Sequence, residues 1–304
     1  MTHIYPLDVT MEQDASPQPD KSSSLYAIAI ELVAAEQMVL PASLGRALYS
    51  QAIDWLSLGD PQLANSIHSS QNTPFSVSAL KGFRRRSGTK AGDEFCFRIA
   101  LLDGDLIHPL LAGLDTWGNE LISLAKCPFV LRAIYAIPES HPEVSSADYY
   151  LLAKAPRAFD DLTLQFLTPT SFKQEQHVQP FPLAEFVFAS LLRRWNTFAP
   201  KDLHFPPVVW QGLISAFDIK THALKMEGGA QIGAVGWVRY RFPDPNQAKI
   251  ATTLAHFANF AGVGRKTAMG MGQVKFLPEK NFFPEVTVPR KSAANTKKRQ
   301  LTSL

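Results

Sequence analysis

The sequence predicts an α+β fold of two tandem ferredoxin-like units, RRM-like in their βαββαβ order. Three observations predict it. The same succession of alternating strands and helix-spaced apolar residues occurs twice along the chain. A hairpin signal, Glu227-Gly228-Gly229, falls between two strand-like runs of the second half. A glycine-rich stretch at 261–274 links the last helical segment to a closing strand. At 304 residues and 46% hydrophobic content, the chain can bury one large core or two ordinary ones.

In the first half, residues 25–35 form an apolar, β-rich run with partial alternation. Residues 44–58 place Leu44, Ala47, Leu48, Ala52 and Trp55 at helical spacing. Asp60-Pro61 then opens a short second helix, because Asp favours the cap and Pro the first helical position. Residues 75–83 and 94–101 alternate as strands, with a turn at 87–93 carrying Gly88 and Gly92. A helix is predicted over 106–117 and a closing strand over 129–137.

The second half repeats the plan. Strands are predicted over 162–167, 218–226, 232–242 and 272–277, and helices over 183–198 and 248–260. Residues 208–217 read as an extension of the helical layer, and 149–152 as an extra strand within a linker. The resulting organisation is a loose arm over 1–24, a first unit over 25–138, a linker over 139–160, a second unit over 161–278 and a basic tail over 279–304.

The net charge of +3 is compatible with nucleic acid without demanding it. No apolar run approaches the roughly 20 residues that span a bilayer, so no membrane partner is expected. Cys96 and Cys127 show no metal-ligand spacing, and no secretory leader is readable; a reduced, cytoplasmic setting is the expectation. The pair Asp160-Asp161 and the scattered acids lack the convergence of a two-metal nuclease, so no metal and no other cofactor is expected.

The stretch Ala261-Gly-Val-Gly-Arg-Lys-Thr-Ala-Met-Gly-Met-Gly-Gln-Val274 carries Gly262, Gly264, Gly270 and Gly272 around Arg265 and Lys266. Such a turn suggests backbone amides and cations offered to phosphates. It is neither a Walker A loop, since Arg265 rather than Gly precedes Lys266-Thr267, nor a dinucleotide fingerprint, since it closes a helix and opens a strand. Further cations suit a sheet-borne RNA surface. Arg84, Arg85 and Arg86 form the densest internal cluster, and Arg239 and Arg241 share one face of their strand with Trp237, opposite Val238, Tyr240 and Phe242. Arg193 and Arg194 fit a helix end, where cations complement the dipole.

The glycine-rich loop, following a helix of the second unit, resembles the C-terminal signature of the CRISPR-associated pre-crRNA-processing endoribonucleases of the RAMP superfamily. Asp60-Pro61 leading to Ile67-His68, the strand Phe75-Ser-Val-Ser78, and Phe166-Leu-Thr-Pro-Thr170 followed by Phe181-Pro182 are similar to other segments of that family. The resemblance spans roughly 25–278. It implies metal-independent cleavage of repeat RNA to a 2′,3′-cyclic phosphate.

In such a reaction the 2′-hydroxyl attacks phosphorus, so the protein must move protons and stabilise the phosphorane. The resemblance puts His68 at the catalytic position, beside the polar loop 69–74. The tyrosine some members carry on the preceding helix falls here on Ile53, leaving Tyr49 one turn earlier as substitute. No lysine or arginine lies between His68 and Pro74, so Lys81 or Arg84 is expected to supply the cation. His177 lies in a polar loop and His256 in an apolar helix.

The expected partner is CRISPR repeat RNA, with effector-complex subunits and a homodimer as further partners. Two alternatives stand beside this reading: a RAMP protein that holds repeat RNA without cutting it, and an enzyme that uses the glycine loop for a nucleotide.

Overall fold

A computed structural model describes residues 22–154, 159–226 and 229–278. The expected tail at 279–304, residues 1–21 of the arm, linker residues 155–158, and Glu227 and Gly228 of the hairpin turn lie outside the described residues.

The first half runs β1 (Ser24–Ala34), α1 (Gly45–Gly59), α2 (Pro61–Ser69), β2 (Phe75–Val77), β3 (Lys81–Gly82), β4 (Glu94–Leu101), α3 (Ile107–Trp117), β5 (Ile122–Leu124) and β6 (Cys127–Tyr135). The strand order β2-β4-β1-β6-β5 is antiparallel throughout, with β3 beside β4. Leaving out β3 and the short β5, this is the ferredoxin-like order.

After β7 (Ser145–Asp148) and α4 (Tyr149–Ala153), the second half follows as β8 (Asp161–Thr170), β9 (Phe172–Gln174), β10 (His177–Gln179), α5 (Ala184–Phe198), β11 (Leu213–Met226), β12 (Gly229–Arg241), α6 (Pro245–Ala261) and β13 (Val274–Leu277). Its sheet reads β11-β12-β8-β13. Both halves are therefore ferredoxin-like.

Two local expectations are corrected. The strand expected over 149–152 is the helix α4, because Asp148 caps it by accepting from Leu151 N and Tyr149 buries its ring, its hydroxyl donating to Leu102 O at 2.9 Å. The added strand is instead the polar β7, paired with β1 and lacking any apolar alternation to announce it. Residues 213–217, expected in the helical layer, begin β11, where Leu213 to Phe217 pair with β12.

The sheet of the first half is buried on both faces. Ile28, Ile30 and Leu32 of β1 pack with α1 and α3, whereas Leu25 and Ala27 join the core of the second half with Ala100 and Leu102. One face of that sheet thus seats α6 of the other half instead of remaining open to RNA. Polar bonds close the same seam: Ser76 Oγ donates to Phe260 O at 2.6 Å, and Gln273 Nε2 to Val77 O at 3.2 Å. The buried Arg98 guanidinium donates from Nε to Glu143 O and stands 5.6 Å from the Phe260 ring.

Candidate active site

The segment carrying His68 is built by local chemistry. Asp60 Oδ1 accepts from Gln62 N and Leu63 N, each at 3.0 Å, and Pro61 opens α2, so the helix starts where the sequence indicates. Ala64 and Ile67 bury the inner face of α2, which leaves His68 exposed in the last turn. The loop then closes on itself: Ser69 Oγ donates to Asn65 O at 2.9 Å, and Ser70 Oγ accepts from Asn72 N at 3.1 Å. Tyr49, on α1, is half-buried and stacks on Phe75 with ring centroids 5.8 Å apart.

The glycine-rich loop meets this segment from the other half. Gly262, Gly264, Gly270 and Gly272 all have left-handed φ, from +65° to +81°, and Lys266 shares that region at +55°. Side chains are excluded for a second reason. A Cβ on Gly272 would stand 2.1 Å from Val263 O, and one on Gly264 2.4 Å from Ser171 O. The four glycine amides are all engaged within the protein, donating to Ala258 O, Ser190 Oγ, Val77 O and Pro169 O. The loop therefore does not hold these amides out to an anion, as its composition suggested. Its glycines serve close backbone packing, and its charge lies in the half-buried Arg265 and Lys266. Burial first, then the Arg265 and Arg46 charges, lowers the Lys266 pKa.

Between the two segments lies a cleft of about 250 Å³. Tyr49 and residues 71–73 line it from the first half, and Arg193, Arg194, Lys266 and Thr267 from the second. His68 stands three residues before Gln71 but is not among the lining side chains.

Lys81 lies elsewhere. It pairs with Glu143 at 2.6 Å and lines a separate cavity of about 640 Å³ with Arg98 and His256. The arginine cluster sits beyond β3: Arg84 Nη1 donates to Pro41 O at 3.0 Å, Arg85 pairs with Asp93 and stands 5.0 Å from the Phe83 ring, and Arg86 is exposed. Hydrogen bonding from Arg85 holds the Asp93 carboxyl below its usual range.

On β12, Val238 and Tyr240 are buried while Trp237 and Arg239 are half-buried and Arg241 is exposed, the alternation expected from the sequence. Arg241 is already held by a bidentate pair to Asp161, at 2.9 and 2.7 Å, and Arg239 Nε reaches Thr163 Oγ1 at 3.3 Å. His177 lies exposed on β10, and His256 packs its ring on Phe276. Among the described residues, no three His, Cys, Asp or Glu side chains are grouped to hold a metal, and no helix is long and apolar enough to cross a membrane.

Sequence reasoning assigned Arg193 and Arg194 only to the helix dipole. The signal that would have found them is the polar pair Ser190 and Arg194, one turn apart beside the apolar face of α5.

Two ferredoxin-like halves thus meet at a seam that holds a cationic cleft. Residues 164–274 match the family model described as CRISPR-associated endoribonuclease Cas6. No curated protein matches. Among solved structures, a Cas6 product complex is 27% identical, with 84% of this chain and 100% of that chain covered and a TM-score of 0.68. Cas6 from Thermus thermophilus is 25% identical over 84% of this chain and 99% of that one, with a TM-score of 0.64. A Cas6-related protein from Pyrococcus furiosus, 18% identical over 84% of this chain and 100% of that one, shares the fold at a TM-score of 0.59. Residues 164–274 are thus similar to the Cas6 endoribonucleases, and the fold of the described chain is similar to that of solved Cas6 structures.

Proposed function

We propose that this protein cleaves precursor CRISPR RNA within its repeat, without a metal cofactor. The observation that carries the reading is the cleft, into which the loop following His68, Tyr49, and the cations Arg193, Arg194 and Lys266 converge from both halves. The 2′-oxygen forms a bond to phosphorus as the bond to the 5′-oxygen breaks, leaving a 2′,3′-cyclic phosphate and a 5′-hydroxyl. His68, exposed in the last turn of α2 beside that loop, moves the proton. Tyr49 stands as its partner. Lys81 is engaged with Glu143, so Arg193 and Lys266 of the cleft are better situated to stabilise the phosphorane. Arg265 and the paired arginines of β12 hold flanking phosphates, and the product RNA remains bound for an effector complex.

The test is incubation of repeat RNA with the protein in EDTA, beside His68→Ala and a substrate carrying a 2′-deoxy sugar at the scissile position. Cutting by the wild type alone, blocked by the deoxy substitution, is the expected result. One observation favours a second reading, a protein that binds repeat RNA without cutting it: His68 does not itself line the cleft. Tight binding with no product in the same assay would establish that reading instead.

A further inference from the structure

Helix α5 turns a polar stripe toward the glycine-rich loop. Ser190 Oγ accepts from Gly264 N at 3.0 Å, and one turn later Arg194 Nη1 donates to Thr267 Oγ1 at 2.9 Å. The same guanidinium crosses to the first half, where Nη2 makes a longer bond of 3.4 Å to Thr73 O. One side chain thus holds both walls of the cleft. The site is costly for a cation. Its Nε is buried without a partner among the described residues, burial drives its pKa down to about 10, and its remaining neighbours include the Phe198 ring at 5.8 Å.

We infer that Arg194 is a positioning residue for the proposed cleavage, its planar fork fixing the loop that follows His68 against the glycine-rich loop. The inference rests on the reading above, since positioning matters only if the cleft performs chemistry. Arg194 acts through geometry: Thr73 lies in the loop that follows the helix turn carrying His68, and Thr267 follows Lys266, so slack at either bond displaces the segments that carry those two groups. A misplacement of about 1 Å can cost on the order of a hundredfold in rate. Lysine keeps the charge but cannot reproduce two diverging bonds.

Arg194→Met, Arg194→Lys and Thr267→Val are compared with wild type in single-turnover cleavage of repeat RNA, in RNA affinity, and in hydrogen exchange of amides 69–73. The expected result is a rate at saturating RNA lowered about 10- to 100-fold in both Arg194 variants and less in Thr267→Val. Affinity stays within about threefold of wild type, because the interaction is not one with RNA. Exchange at 69–73 becomes faster.

A saturating rate within about twofold of wild type overturns the inference, as does a loss appearing wholly in affinity, which would make Arg194 an RNA contact. Unchanged exchange overturns it equally. Should Arg194→Met fail to fold, Arg194→Lys and Thr267→Val decide. Wild type that does not cut repeat RNA would sink the proposed function, while the exchange measurement still tests the clamp.

Discussion

The backbone N–H of Gly270 donates to the carbonyl oxygen of Val77 at 3.1 Å, joining the loop before the last strand to β2 of the other half. Gly270 has room around it, since a Cβ there would meet nothing nearer than 3.5 Å, whereas Gly264 and Gly272 are closed off by backbone oxygens. Alanine at 270 therefore meets only the left-handed penalty, about 1 kcal/mol. Alanine at 264 or 272 adds a backbone clash, for a total of about 3 kcal/mol. Urea unfolding of the three variants should rank them in that order, with Gly270→Ala closest to wild type.

His68 is exposed and none of the described bonds depends on its ring. Its removal should leave stability within about 0.5 kcal/mol of wild type. Loss of a proton-transfer group should lower cleavage at least about a hundredfold. Thermal melts and single-turnover assays on the same His68→Ala preparation separate the two effects. A variant that melts early would mean the loop leans on this side chain.

The two groups of cations differ in how free they are to meet phosphate. Arg241 is held by both oxygens of Asp161, while Lys266 lies in the cleft beside Arg265 and Arg46. Each cation that neutralises a phosphate of single-stranded RNA contributes about 0.7 to the slope of log affinity against log salt. Lys266→Ala should lower that slope by about this amount, and Arg241→Ala by less than half of it. Filter-binding titrations between low and physiological salt give both slopes.

The repeated strand and helix order was legible because both halves bury continuous cores: Ile28, Ile30 and Leu32 alternate on β1, and Val238 and Tyr240 on β12. The start of α2 was legible for a local reason, since Asp60 and Pro61 act within one turn. What escaped depends on contacts distant in sequence. The polar β7 is ordered by pairing with β1, more than a hundred residues away. The glycines of 262–272 announced a tight turn, but composition cannot tell an amide offered to a ligand from one given to Pro169 O. The polar pair Ser190 and Arg194 on α5 marked a polar stripe, but what Arg194 holds was hidden because its partners, Thr73 and Thr267, belong to segments that only folding brings together.

His256 gives the fold a defined response to acid. It sits half-buried on α6 with its ring 4.8 Å from that of Phe276, and burial lowers its pKa below the ordinary 6.5. The cavity it lines also holds Arg98, whose pKa of about 10 keeps it charged through neutrality, together with Lys81, Glu143 and Lys275. A depressed histidine pKa means that, between the folded value and about 6.5, the unfolded chain binds more protons than the folded one. Stability contributed by the neutral ring is therefore complete above that window and is lost as pH falls through it. His256→Gln removes the titration, so its urea midpoint should fall less than that of wild type between pH 7.5 and pH 5. Equal falls in the two proteins would assign the acid sensitivity to other groups.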